Sequence, residues 1–157
     1  MKKISVLFVC LGNICRSPAA EAIFIDLLEK KGLTDGFFVD SAGTGSWHVG
    51  KKADSRMRIA AERRDIKILS RARQITTKDF AEFNYILAMD DSNFRNIQDL
   101  KNRTLSTDFA SIKKIQNFRS VYNEDEVPDP YFGGDEGFDH VLDILEDSVS
   151  GFLESIS

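Results

Sequence analysis

Val6-Leu7-Phe8-Val9-Cys10-Leu11-Gly12-Asn13-Ile14-Cys15-Arg16-Ser17-Pro18 is the stretch on whose reading the fold turns. Residues 6–9 are apolar and read as a short buried strand. A loop holding a Gly and an Asn follows, and Ser17-Pro18 signals the start of a helix. A strand passing through a tight loop into a helix leaves unpaired N–H groups at the helix's positive end, a place suited to an anion. Cys10 stands at the end of the strand, and Arg16 on the last step before the helix. Dipoles and a guanidinium gathered round a thiol favour its thiolate, and an Arg fork matches two oxygens of a phosphate. A thiolate facing a phosphate cradle points to phosphoryl transfer through a cysteinyl-phosphate. Taken singly, Cys10 could be a small buried hydrophobe, Gly12-Asn13 a turn and Arg16 a solvated charge. Together, as Cys-x5-Arg-Ser closing on a helix start, they form a specific signal.

The rest of the composition agrees with an ordinary enzyme-sized unit. A chain of 157 residues reads as one domain, 1–157, with 42% apolar and 29% charged residues. Its 21 basic and 25 acidic residues leave a net charge of −4, which argues against nucleic acid as a partner. Lys2-Lys3 and the apolar run after them imitate a secretion signal, but the run is short and Asn13 and Arg16 interrupt what would follow. Val9 is too large for a lipoprotein processing site. Two cysteines without a disulfide framework suit a reducing compartment, so the expectation is a cytoplasmic protein with no membrane span. Two Cys and two separated His lack ligand spacing, so neither a metal nor another cofactor is expected. His48 and His140 read as surface or helix residues.

Strand-like and helix-like segments alternate along the chain. Strands are expected at 4–9, 37–39, 85–89 and 112–118, although Lys113-Lys114 weakens the last. Helices are expected at 18–31, 55–64, 77–83, 91–100 and 138–153, the first capped by Ser17 with Pro18 opening it, the fourth capped from Asp90. The pattern predicts an α/β fold: a single domain with a four-stranded parallel sheet, helices on both faces and the phosphate-binding loop between strand 1 and helix 1. Ligands of such sheets bind at the carboxyl ends of the strands, where Cys10, Ser41 and Asp90 all fall.

Val9-Cys10-Leu11-Gly12-Asn13-Ile14-Cys15-Arg16-Ser17-Pro18 with Asp129-Pro130-Tyr131 resembles the low-molecular-weight protein tyrosine phosphatases. The likeness runs over nearly the whole chain, through Asp40-Ser41-Ala42-Gly43, Ala72-Arg73-Gln74 and Tyr85-Ile86-Leu87-Ala88-Met89-Asp90. It implies metal-independent hydrolysis of protein phosphotyrosine and small aryl phosphates. Cys10 would be the nucleophile, Arg16 and the amides of Leu11, Gly12, Asn13, Ile14 and Cys15 the oxygen holders, and Asp129 the acid, then base. It also implies that Asn13 is held by a hydrogen-bonding network to which Ser17 and Ser41 belong, with Ser70 where relatives often carry His, and that Asp90 supports the loop. Cys15 would form a reversible disulfide with Cys10. Trp47 and Tyr131 would be aromatic walls of a deep pocket, although Trp47 by itself reads equally as a loop anchor tucked into the core, and Phe132 stands where many relatives have a second Tyr. Partners would be phosphotyrosine-containing proteins, and the chain a monomer or weakly self-associating. An arsenate reductase would relay electrons through further cysteines, which this chain lacks. A protein-arginine phosphatase carries Thr where Ile14 stands. A non-catalytic phosphotyrosine binder would not need Cys10, Arg16 and Asp129 together.

Overall fold

Ile4–Cys10 forms the central strand, β1, in a computed structural model that describes residues 2–104, 110–131 and 133–157. Its side chains alternate between two cores: Val6, Phe8 and Cys10 face one, Leu7 and Val9 the other. Both faces are covered, which is why this strand is apolar without interruption from Val6 to Cys10. The remaining elements are α1 (Arg16–Lys30), β2 (Phe37–Gly43), α2 (Ser55–Glu62), α3 (Asp79–Glu82), β3 (Tyr85–Ala88), α4 (Asp91–Lys101), β4 (Ser111–Lys114) and α5 (Asp135–Ser155). Helices α1, α2 and α5 supply Phe24, Met57 and Phe152 to the first core, while α3 and α4 supply Phe80 and Ile97 to the second.

All four strands are parallel, in the order β2-β1-β3-β4. Because β1 lies between β2 and β3, the chain leaves it first to one side and later to the other. That reversal opens a crevice at the carboxyl ends of β1 and β3. Cys10 closes β1 against Gly43, and Asp90 follows β3 by two residues.

Several boundaries differ from the sequence reading, each for a local reason. Helix α1 begins at Arg16, not Pro18; its N-cap is Cys15, with no side-chain hydrogen bond to the cap. Ser17 is therefore inside the first turn, with its hydroxyl committed elsewhere, and Pro18 sits where no N–H is required. The expected strand at 112–118 divides into β4 and a 3-10 turn over Ile115–Phe118. There the three-residue spacing turns buried Ile115 and partly buried Phe118 together toward α5, where Phe118 packs on Phe152 at 5.2 Å. Strand β2 runs on to Gly43, carrying Ser41 into the site. Helix α5 starts three residues early, with Asp135 and Glu136 favourably placed in its first turn. Asp90 caps α4 as expected, accepting from the Asn93 amide at 2.7 Å. Phe132 lies outside the described residues. Among the described residues no helix is long and apolar enough to cross a membrane.

Candidate active site

The loop between β1 and α1 wraps its backbone around the Cys10 sulfur. Asn13 adopts φ +57°, the left-handed backbone that Asn tolerates better than most side chains. That turn aims the Asn13 amide at Cys10 Sγ, 3.2 Å away, while the Ser17 hydroxyl lies 3.0 Å from the same sulfur. Cys10 is 2% exposed. The N–H groups of Leu11, Gly12, Ile14 and Cys15 take no acceptor among the described residues, so the loop presents donors toward its centre. Gly43 permits this packing: a Cβ there would lie 2.8 Å from the Leu11 carbonyl oxygen and 3.2 Å from the Asn13 nitrogen.

A chain of polar side chains holds the loop from behind. The Asn13 amide nitrogen donates to Ser17 Oγ at 2.7 Å and to Ser41 Oγ at 3.0 Å. Its oxygen accepts from the Arg73 backbone N–H at 3.0 Å. Ser41 in turn donates to Glu21 at 2.5 Å, and Ser70 lines the same groove as Glu21. Ser70 thus sits beside Glu21 at the outer end of the network, and the Asn13 oxygen takes the Arg73 amide. Burial and neighbouring Asp40 push the Glu21 carboxyl up to about 7, against the opposing pull of Ser41, Ser70 and Arg73.

Arg16, 3% exposed, enters the site on the first turn of α1. One guanidinium nitrogen donates to Asp90 at 2.7 Å and to the Val127 carbonyl at 3.0 Å. The other terminal nitrogen lies 3.7 Å from the Asp129 carboxylate. Burial alone would lower the Arg16 pKa, but Cys10, Asp90 and Asp129 outweigh it and leave it raised. The cation is therefore permanent, with one side anchored and the other turned to the pocket.

Asp129 arrives from more than a hundred residues away on a loop pinned at both ends. The Val127 amide continues the ladder to the Met89 carbonyl at 2.9 Å. Arg56 on α2 donates to the Tyr131 carbonyl at 2.9 Å, pairs with Asp54 at 3.0 Å and lies over the Tyr131 and Phe138 rings at 5.6 and 4.7 Å. Asp129 itself accepts from the Tyr131 amide at 3.1 Å and remains 40% exposed. Such a carboxyl can meet both a bound group and water.

Cys10, Leu11, Gly12, Ile14, Cys15, Arg16, Trp47, His48, Asp129 and Tyr131 line one pocket of about 130 Å³. Trp47 is 69% exposed, so it stands at the rim and is not a core anchor. Its ring lies over Gly45, where a Cβ would come within 1.8 Å of the indole. Both cysteines are free thiols, and burial, followed by the charges of Asp54, Cys10 and Asp129, pushes Cys15 far up. Among the described residues no cluster of His, Cys, Asp or Glu could hold a metal ion.

Four contributors escaped the sequence reading. His48 lines the pocket with its ring 6.2 Å from that of Tyr131. Glu21, Arg56 and the Val127 carbonyl support it from behind. Adjacency of His48 to Trp47 was the one available hint; the other three act across long sequence separations.

Comparison with known proteins agrees with this geometry. Residues 5–157 match the family described as low molecular weight phosphotyrosine protein phosphatase. The low molecular weight phosphotyrosine protein phosphatase of Schizosaccharomyces pombe is 44% identical over 157 residues, covering 99% of each chain. A protein tyrosine phosphatase from Entamoeba histolytica, crystallised as a product-state mimic, superposes with a TM-score of 0.91 at 42% identity, over 98% of this chain and 96% of that one. A Drosophila arginine phosphatase superposes with a TM-score of 0.92 at 34% identity, over 100% of this chain and 98% of that one.

Proposed function

This chain belongs to the low-molecular-weight phosphotyrosine protein phosphatases, and we propose that it hydrolyses phosphotyrosine on proteins through a cysteinyl-phosphate, without a metal. One observation carries the reading: residues 10, 16 and 129 bring a sulfur, a cation and a carboxyl to a single small pocket. Cys10 thiolate attacks phosphorus, and the phosphorus–oxygen bond to the tyrosine breaks. The loop amides and the free side of Arg16 hold the equatorial oxygens as charge spreads over them. Asp129 delivers its proton to the departing phenolate, then as carboxylate takes one from the water that attacks phosphorus as the phosphorus–sulfur bond breaks. Inorganic phosphate leaves and the thiolate returns, with Ser17 donating to it.

Depth supports aryl specificity. The Cys10 sulfur is almost inaccessible at the bottom, while Trp47, His48 and Tyr131 rise around the mouth. A phosphotyrosine is long enough to put its phosphate on the loop and its ring between these side chains. Ile14, which is 9% exposed, narrows the same pocket. Likeness to an arginine phosphatase supplies the competing substrate, phosphoarginine, and the assay must include it. Substrates are expected to be phosphotyrosine-containing proteins met in the cytoplasm by a monomer or weakly associating chain.

Hydrolysis of p-nitrophenyl phosphate in EDTA, beside phosphoarginine, tests the reaction. Activity should persist in EDTA and vanish in Cys10→Ser, and rapid quenching should trap phosphorus on Cys10. Asp129→Ala should lower turnover by roughly 10² to 10⁴. Dependence on added metal, or full turnover in Asp129→Ala, would defeat the mechanism.

A further inference from the structure

Nine of the chain's 21 Lys and Arg residues fall within residues 51–73, where Asp54, Glu62 and Asp65 are the acids. That segment carries a local charge of +6 in a chain whose net charge is −4. Arg56, Arg64 and Arg73 are spent on ion pairs. Lys52, Arg58, Lys67 and Arg71 are not: among the described residues no carboxylate lies within ion-pair distance of them. These four instead converge on one groove of about 310 Å³, which they share with Glu62 and Leu69.

The groove is built, not frayed. Lys52 and Arg71 are partners in an antiparallel bridge, flanked by backbone hydrogen bonds of 2.8 Å from Ala72 N–H to the Lys51 carbonyl and from Gly50 N–H to that of Ala72. Arg71 donates to the Gly50 carbonyl at 3.0 Å and Arg58 to that of Ala53 at 2.9 Å, contacts that orient both guanidinium groups and neutralise neither. Like charges facing each other across a ladder are unfavourable unless an anion lies between them. Leu69, 85% exposed, adds an apolar face beside the charges.

The groove adjoins the catalytic pocket through the backbone. The Lys51 amide donates to the His48 carbonyl at 2.9 Å, and the Asp54 amide to that of Ile14 at 2.8 Å. Both acceptors belong to pocket-lining residues. Lys52 lies next to Lys51 and two residues from Asp54, so the groove borders the pocket wall, and a peptide leaving the pocket reaches it within roughly three to five extended residues at about 3.3 Å each.

We propose that this groove binds an acidic stretch of the substrate protein, three to five residues from the phosphotyrosine that occupies the Cys10 pocket; this rests on the phosphotyrosine reading above. A peptide suits it better than an anionic membrane, because the rest of the chain is strongly acidic and would repel an extended negative surface while leaving a narrow ligand free to enter.

The test compares phosphotyrosyl peptides carrying three Glu residues at positions 3–5 on either side of the phosphotyrosine with the same peptides carrying Gln. One Glu peptide should show kcat/KM about tenfold above its Gln counterpart, mostly through KM, and lose that advantage in about 0.5 M salt. Lys52→Glu/Lys67→Glu/Arg71→Glu should abolish the preference while p-nitrophenyl phosphate is hydrolysed as before. Equal kcat/KM for Glu and Gln peptides overturns the proposal, and so does a preference that survives charge reversal. Binding to phosphatidylserine vesicles without any peptide preference would replace it with a membrane contact. Failure to hydrolyse any of the peptides would overturn both this inference and the reaction it rests on.

Discussion

Replacing Glu21 by Gln should make the protein more stable at pH 8.5 and leave it nearly unchanged at pH 4. Glu21 is half-buried behind the catalytic loop, with Ser41 donating to it at 2.5 Å and Asp40 close by. Arg73, the cation that lowers it most, is shared with Asp40 and Asp79 at 3.0 Å each, and the adjoining groove adds Asp26, Glu29 and Asp65 against Lys67. The carboxyl is pushed from 4.5 up to about 7. Between those values the folded protein keeps a proton that the unfolded chain has released. Folding is therefore favoured below pH 4.5, and this contribution is lost as pH rises through about 7. The difference corresponds to about 3 kcal/mol when fully expressed, or a melting shift of roughly 6–12 °C for a chain of this size. Gln keeps the acceptor for Ser41 and carries no charge, so it imitates the protonated acid at every pH. Thermal unfolding of both proteins from pH 4 to 8.5 should give curves that coincide at the acid end and diverge through neutrality. A difference in melting temperature that does not vary with pH would refute the reasoning.

Other perturbations probe the network, the pocket and the second thiol. Asn13→Ala removes three side-chain hydrogen bonds and leaves a residue at φ +57° that dislikes it, so urea unfolding should show a loss of about 3–5 kcal/mol. Gly45→Ala would drive a methyl group into the Trp47 ring; steady-state kinetics should show KM for aryl phosphates rising about 2- to 10-fold with kcat little changed. Cys15→Ser should leave turnover intact but prevent a Cys10–Cys15 disulfide, so that a thiol reductant restores less activity after peroxide treatment. Reactivation equal to that of the unaltered protein would remove Cys15 from any protective role.

Residues 6–18 were legible in the sequence because their signals are local: an apolar run, a Gly-Asn turn and a Pro within one helical turn of Arg16. The same holds for Asp90, whose capping of α4 depends on a residue three positions away. Ser17 misled because the Ser-Pro pair imitates a helix cap. In the folded protein the loop turns the Ser17 hydroxyl inward to Cys10 and to Asn13, which Ser41 also holds, and that choice is not made by the pair itself. Ile115 and Phe118 misled similarly, since their apolar character fits a strand and only the presence of α5 decides for a tight turn.

By itself, then, the sequence determined the alternation of strands and helices, the anion-binding turn and the identity of the sulfur and guanidinium within it. Family likeness added Asp129. Folding in three dimensions was needed to make Glu21 a carboxyl with a raised pKa, to brace the acid loop with Arg56 and Val127, to turn His48 to the pocket and to gather four cations beside it. Each of these depends on groups brought together from distant parts of the chain. Burial and charge act through space, and sequence spacing does not encode distances of that kind.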